Sequence, residues 1–353
     1  MADLLTAPVC VIPWFYTVLA WNQFGVCCNS YDNDFEMISE MPVDFNFKTQ
    51  VFNHDNYISM RKGLSTGELS DFCKRCNHAS NFGTLSHRQN FLLKQLLQIE
   101  DKEQQTRAMQ NYNKCVESIQ NGISSVECSP CYAVVSCGST CNLKCKFCYN
   151  RNTNYDPNPE HILNVIDKIH SSLIACQITG GEVFFTRAGK AILKRFGEGV
   201  YKFGVRLGTN AQTVDFDLLK PVNLTSLQIS TDAATKQTYE KVRVGGSFER
   251  LIENIKKFAE LKKSKPLMEI TTNYTITADN FSEIPAAIKL FEDLGTVCQF
   301  NLVYAEKDDP QNIRYRTDLH DDFFLSIEKG IKCAENKQTI ADLVHIKNTI
   351  IIT

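Results

Sequence analysis

Three cysteines within one short run constrain this chain more than any other feature. Cys141-Asn142-Leu143-Lys144-Cys145-Lys146-Phe147-Cys148 reads C-x3-C-x2-C and stops at three. Thiolates suit zinc or iron–sulfur clusters. A [4Fe–4S] cubane has four irons to ligate, so three local thiolates leave one iron open to a substrate or a cofactor. The competing readings are a zinc knuckle or cysteines scattered through a core.

The sequence around the run helps to choose. Downstream of residue 129 the chain alternates strand and helix patterns. Strands are predicted at Tyr132–Ser136, Leu173–Ile178, Phe203–Leu207, Leu224–Ile229, Met268–Thr277 and Cys298–Tyr304. Between them, Pro157-Asn158-Pro159 opens a helix with Ile162, Ile166 and Ile169 on one face, and 280–294 is amphipathic. A last helix carries Phe323, Ile327 and Ile331 on one side, and the apolar tail 348–353 adds a final strand or covers the barrel's end. This rhythm predicts an α/β fold. Sites in β/α barrels gather at the C-terminal strand ends. The cysteine run follows the first strand, Thr179-Gly180-Gly181-Glu182 the second, Gly208-Thr209-Asn210 the third and Ser230-Thr231-Asp232 the fourth.

The cysteine spacing, followed by Gly180-Gly181-Glu182 at the next strand end, resembles the radical S-adenosylmethionine (SAM) enzymes. That resemblance implies a partial (β/α)6 TIM-like barrel. It implies a [4Fe–4S] cluster on Cys141, Cys145 and Cys148 whose open iron is chelated by the amino and carboxylate groups of SAM. Reductive cleavage of SAM then gives a 5′-deoxyadenosyl radical that abstracts hydrogen from a substrate. Phe147 stands where the family has an aromatic that shields the cluster near adenine, and Tyr149 is a weaker candidate. Gly180 and Gly181 let the backbone approach the methionyl amino group, and the Glu182 charge suits a cationic ligand. Asn210 lies in a segment similar to the family's third-strand motif. Ser230 is expected at the ribose hydroxyls, and Asp232 faces SAM or substrate, or caps the next helix. Arg243-Val244-Gly245-Gly246-Ser247-Phe248 resembles R-G-x-G-S-F, with Val244 where the family has glycine. The resemblance pairs Arg243 with the SAM carboxylate. Thr275 and Thr277 are expected to line the SAM site.

Upstream, Cys10-Val11-Ile12-Pro13-Trp14, an aromatic stretch, turn chemistry at Asn22–Gly25 and Cys27-Cys28 predict a β-hairpin with cysteines near its open ends. A loop-rich polar stretch runs to about Asn56. Met60-Arg61-Lys62-Gly63 then precedes Phe72-Cys73-Lys74-Arg75-Cys76. Cys10, one or both of Cys27 and Cys28, Cys73 and Cys76 make a four-thiolate set that zinc or an iron–sulfur cluster accepts. C-x-x-P-W, G-x-C-C, C-x2-C and the run Met60–Arg88 resemble the SPASM or shorter Twitch auxiliary-cluster module, placed here before the barrel. The resemblance implies an auxiliary [4Fe–4S] cluster. Residues 86–121 predict one or two linking helices, with Cys115 in core or surface. Cys128-Ser129-Pro130-Cys131 is a second C-x2-C, read as structural or as a donor to the auxiliary cluster. Cys137 packs beneath the signature. Cys176 and Cys298 are core cysteines, or hydrogen-atom donors in an epimerase. The organisation expected is an auxiliary module over 1–90, a helical linker over 91–127 and the barrel over 128–353.

A net charge of −2 gives no nucleic-acid footprint. The Lys256-Lys257 and Lys262-Lys263 pairs read as a solvated helix face. The apolar stretch from Val9 to Trp21 is too short to span a membrane and is broken by Pro13. Asp3 and the missing basic n-region argue against a signal peptide. Fifteen cysteines without an export signal fit a reducing, cytoplasmic setting. The expected function is a radical SAM enzyme acting on a small molecule, sugar or amino-acid-like, in an oxidation assisted by an auxiliary cluster. It would draw electrons from a donor such as flavodoxin or ferredoxin, with no nucleic-acid or membrane partner. One alternative is a peptide or protein maturase, or an epimerase, although the cysteine module fills the region where a leader-binding winged helix would sit. A non-catalytic iron–sulfur or zinc binding protein is another.

Overall fold

A computed structural model describes residues 10–27, 35–68, 73, 99–148, 150 and 152–351. Cys28, Cys76, Tyr149 and the first part of the expected linker, 86–98, lie outside the described residues. The chain folds as two compact units interleaved in sequence. One comprises 1–138, 155–206 and 217–225, and the other 139–154, 207–216 and 226–353.

In the first unit, β1 (Tyr16–Ala20) and β2 (Gln23–Gly25) form the expected hairpin. Trp21 and Asn22 take φ of +52° and +62°. Positive φ at both central residues is the two-residue turn whose twist matches that of the strands. Ahead of it, Ile12–Phe15 is a single helical turn, α1, rather than strand. Pro13 sits in that first turn, where its fixed φ suits a helix and its missing N–H leaves nothing unpaired. β1 pairs in parallel with β4 (Tyr132–Ser136), Tyr16 opposite Tyr132. β4 pairs in parallel with β5 (Ala175–Thr179), and β2 carries the short antiparallel β3 (Phe35–Met37). The strand order here is β3-β2-β1-β4-β5.

The stretch expected to be a polar loop up to Asn56 is structured instead. It holds β3, a helical turn at Lys48–Phe52 and buried Phe45, Phe47, Val51 and Phe52. Phe47 meets the buried Phe24 ring edge-on at 6.0 Å. The apolar residues are interleaved with polar ones, so neither strand nor helix period shows in the sequence. Helices α2 (Asp55–Thr66), α3 (Lys102–Gln120), α4 (Pro159–Ile169) and α5 (Arg187–Gly197) complete this unit. Asp101, Asn158 and Thr186 cap the last three with side-chain oxygens, satisfying otherwise orphaned amides.

β6 (Gly204–Thr209) and β7 (Leu224–Ser230), joined through the short α6 (Phe216–Leu219), begin in the first unit and end in the second. In the second unit β7 pairs in parallel with β8 (Glu269–Ile276), and β8 with β9 (Val297–Leu302). α7 (Lys236–Val242) and α8 (Phe248–Lys263) follow β7, and α9 (Ile284–Asp293) follows β8. α10 (His320–Cys333) and α11 (Lys337–Ile351) follow β9. α11 screens β9, an edge that would otherwise offer unpaired backbone groups. Thr339 Oγ1 donates to Cys298 O at 2.8 Å, and Asp342 Oδ2 accepts from Phe300 N at 3.2 Å. Residues 348–351 therefore end a helix, not a final strand. Leu343, Ile346 and Ile350 are buried at helical spacing, a period invisible when the tail is read by itself.

Six successive βα units run from β4 to β9. The fold class is α/β, in the element order of a partial (β/α)6 barrel. Among the described residues no helix is long and apolar enough to cross a membrane.

Candidate active site on the cysteine loop

Each of the three signature cysteines lies on the loop 139–154 of the second unit. Cys145 is buried, while Cys141 and Cys148 are half-buried. The loop is held at both ends of the signature. Thr140 Oγ1 donates to Asn154 Oδ1 at 2.5 Å, and Cys148 N donates to Cys145 O at 3.2 Å in a tight turn. Lys144 N donates to Val244 O at 2.9 Å and Lys146 N to Val242 O at 3.0 Å. These two bonds lay the loop along the segment between α7 and α8. Lys146 and Lys241 both pair with Asp279, at 3.1 and 2.8 Å, which fastens the same two segments again.

The sulfurs have N–H neighbours. Leu143 N donates to Cys141 Sγ at 3.4 Å, and Asn210 Nδ2 donates to it at 3.6 Å and to Asn142 Oδ1 at 3.0 Å. Asn210 is in turn fixed by Gln212 N, which donates to its Oδ1 at 3.0 Å. Arg243 Nη1 donates to Cys145 Sγ at 3.7 Å. Burial pushes the Cys145 thiol up to about 11, against the opposing pull of Arg243. The Phe147 ring lies 6.0 Å from the Arg243 guanidinium.

Arg243 and Asp232 form a buried pair. Arg243 Nε donates to Asp232 Oδ2 at 2.6 Å, and Nη2 reaches the same oxygen. Burial is the largest influence and works against the Arg243 charge, but Asp232, Cys145 and Tyr239 together outweigh it and the arginine pKa is raised. Asp232 has φ of +56° and is fully buried. Its Oδ1 accepts from Thr275 N at 2.6 Å, and its carbonyl accepts from Asn280 Nδ2 at 2.9 Å. Asp232 does not cap α7; Thr235 does, accepting from Thr238 N at 3.3 Å. Ser230 is half-buried at the end of β7. Thr277 is buried in the turn after β8, where its hydroxyl accepts from Asp279 N at 3.3 Å.

In the first unit, the Gly180-Gly181-Glu182 turn packs on the exit of β4. Gly180 has φ of +140°, and a Cβ there would meet Gly138 O at 2.5 Å and Cys137 Sγ at 2.9 Å. Only glycine fits this conformation and this approach. Gly181 N donates to Gly138 O at 2.8 Å. The glycine requirement thus has a reason within the protein, beyond the ligand approach expected from the sequence. Glu182 is buried, and its Oε1 accepts from Phe184 N at 3.3 Å. Cys137 packs under this turn, its thiol pushed by burial up to about 12. Cys176 and Cys298 are fully buried core residues.

A grouping the sequence did not reveal lies elsewhere in the first unit. Cys115 Sγ is 3.8 Å from Cys131 Sγ, and it donates to Cys128, whose pKa that bond lowers against burial, helped by Arg61. All three thiols are buried. The C-x2-C spacing of Cys128 and Cys131 was visible; the approach of Cys115 on α3 carries no local signal. Of the expected auxiliary set, Cys10 is buried and Cys27 and Cys73 are half-buried, while Cys28 and Cys76 lie outside the described residues.

Three thiols on one tethered loop, with N–H groups directed at two of the sulfurs, fit the ligation of an iron–sulfur cluster. Among the described residues no three His, Cys, Asp or Glu side chains are drawn in tightly enough to enclose a bare metal ion. A cubane separates its thiolates by its own core and needs a wider set.

Residues 135–291 match the sequence profile of the Radical SAM superfamily. The chain carries a radical SAM domain. The cofactors of that superfamily are a [4Fe–4S] cluster and SAM. Among curated proteins the chain is similar to a "probable GTP 3′,8-cyclase" of Methanocaldococcus jannaschii, 24% identical over 173 residues, covering 47% of this chain and 56% of the relative. A protein of the same description from Saccharolobus islandicus is 27% identical over 163 residues, covering 44% of this chain and 51% of the relative. The chain therefore spans about half the length of the curated relatives it matches. Among solved structures, Streptococcus suis SuiB bound to S-adenosylmethionine aligns at TM-score 0.47 and 16% identity, over 78% of this chain and 63% of that one. The radical SAM domain begins within β4 and ends within α9, so it takes in the cysteine loop, the glycine turn and the Asp232–Arg243 pair.

Proposed function

We propose that this chain is a radical SAM enzyme that binds its cluster through Cys141, Cys145 and Cys148. The observation that carries the reading is the cysteine loop itself: three thiols fixed on one tethered segment, with amide or guanidinium N–H groups aimed at Cys141 and Cys145. When bound, the cluster supplies the electron that cleaves SAM reductively to a 5′-deoxyadenosyl radical. The protein's part is to hold and shield. Phe147, whose ring lies 6.0 Å from the Arg243 guanidinium, would shield the cluster. The family resemblance assigns the SAM amino group to Gly180, Gly181 and Glu182, and a ribose diol to the Ser230 hydroxyl. Asn210 fixes the loop through Asn142.

The substrate class we propose is a small molecule, sugar or amino-acid-like, oxidised with the help of an auxiliary cluster on Cys10, Cys27 or Cys28, Cys73 and Cys76. The name GTP 3′,8-cyclase, borne by the curated relatives, is that of an enzyme acting on a small molecule, and supports this class over a peptide. An electron donor of the flavodoxin or ferredoxin kind and a cytoplasmic setting belong to the same proposal.

The test is anaerobic. SAM binding by calorimetry and 5′-deoxyadenosine release with dithionite are measured on reconstituted protein and on the Cys141→Ala/Cys145→Ala/Cys148→Ala variant. The reading expects binding and release in the first and loss of release in the second. Absence of SAM binding in reconstituted protein would contradict it and favour a non-catalytic scaffold.

A further inference from the structure

The buried pair beside Cys145 has a chemical consequence for the proposed cluster. Arg243 touches the proposed cluster ligand Cys145, with Nη1 3.7 Å from its Sγ. Its Nε and Nη2 are both taken by Asp232 Oδ2. Arg243 is 7% exposed and Asp232 fully buried, so solvent does little to screen either charge. The geometry is locked from three sides. The loop is bound to the Arg243 segment through Lys144 N and Lys146 N. Asp232 is bound by Thr275 N and, through its carbonyl, by Asn280.

Reducing a [4Fe–4S] cluster by one electron adds negative charge to the cluster and its thiolates, and hydrogen bonds and charges at the sulfurs set the potential at which this happens. A guanidinium against a ligand sulfur favours the reduced form. A carboxylate directly behind the guanidinium withdraws part of that effect and fixes the direction of the N–H. We propose that Arg243 and Asp232 are positioning residues that set the reduction potential of the SAM-binding cluster through Cys145, Arg243 raising it and Asp232 moderating the rise. The inference rests on the cluster assignment above. It assigns the arginine to the cluster's sulfur, and it makes Asp232 part of the electron-accepting unit.

The test is an EPR-monitored redox titration of the reconstituted full chain without SAM. The signal is assigned by its loss in Cys145→Ala. Arg243→Gln should raise the oxidised-to-reduced ratio at fixed potential about tenfold, a fall of about 59 mV for a one-electron couple. Asp232→Asn should shift the potential in the opposite direction. Arg243→Lys keeps the charge and should fall by less than Arg243→Gln. The double variant Arg243→Gln/Asp232→Asn leaves no unpaired buried charge, and should titrate between the two single variants. A merely structural role moves both single variants the same way or neither, and either result overturns the inference while leaving the cluster assignment intact. Failure of the unmodified chain to bind iron at Cys141, Cys145 and Cys148 overturns both.

Discussion

At the scale of single residues, Gly180 shows how tightly the site region is packed. Any side chain there must take φ of +140° and press into Gly138 O at 2.5 Å. Backbone is the obstacle, so a rotamer change cannot relieve it. Gly180→Ala should cost about 2–4 kcal/mol from strain and overpacking together. The readout is the denaturant midpoint of the variant at unchanged slope. A loss below about 0.5 kcal/mol, the usual size of an innocuous surface change, would show that the turn opens freely and that its glycine serves a ligand alone. Asp232 makes the converse point. Its sequence context fits an N-cap as well as a ligand contact. Neither reading foresaw a partner such as Arg243, although the two lie only eleven residues apart, because no periodic signal marks the turn of chain that returns Arg243 to Asp232 across the helix between them.

At the scale of elements, α2 is anchored by one buried cation. Arg61 Nε donates to Pro13 O at 2.9 Å, and Nη1 donates to Phe52 O at 2.8 Å and Ser124 O at 3.1 Å. Its guanidinium also lies 4.4 Å from the Phe52 ring centroid. Among the described residues Nη2 has no hydrogen-bond partner, and no carboxylate pairs with the group. Burial pushes the Arg61 pKa down to about 10, against the opposing pull of Tyr57, Cys128 and Cys115. Arg61→Leu keeps much of the volume but strands three carbonyls. It should destabilise the protein by about 3–5 kcal/mol, the range for removing one partner from a buried charged network. Arg61→Lys should recover part of that, since one ammonium cannot reach all three acceptors. Urea unfolding curves of both variants check this, and equal stability of Arg61→Leu and the parent would refute it. From sequence, Met60-Arg61-Lys62-Gly63 was legible only as part of a family resemblance, because a buried arginine looks like any other helix-surface arginine.

At the scale of the whole molecule, what was legible followed from periodicity and spacing. The six strands from Tyr132 to Leu302 and the helices over Pro159–Ile169 and Ile284–Asp293 were legible, the strands from short apolar runs and the helices from the 3.6-residue period that burial of one face imposes. The cysteine loop and the glycine turn were legible because their chemistry is written in adjacent residues. The rest depends on residues far apart in sequence. The parallel pairing of β1 with β4 and the approach of Cys115 to Cys131 leave no local trace. Nor does the covering of β9 by α11, whose end reads in isolation as strand. The account of function stands on one of the locally written features, the three-cysteine loop, and an iron count tests it most directly. Protein reconstituted anaerobically should carry about four more irons per chain than the Cys141→Ala/Cys145→Ala/Cys148→Ala variant treated alike, the complement of one cubane. Equal iron in the two proteins would contradict the account.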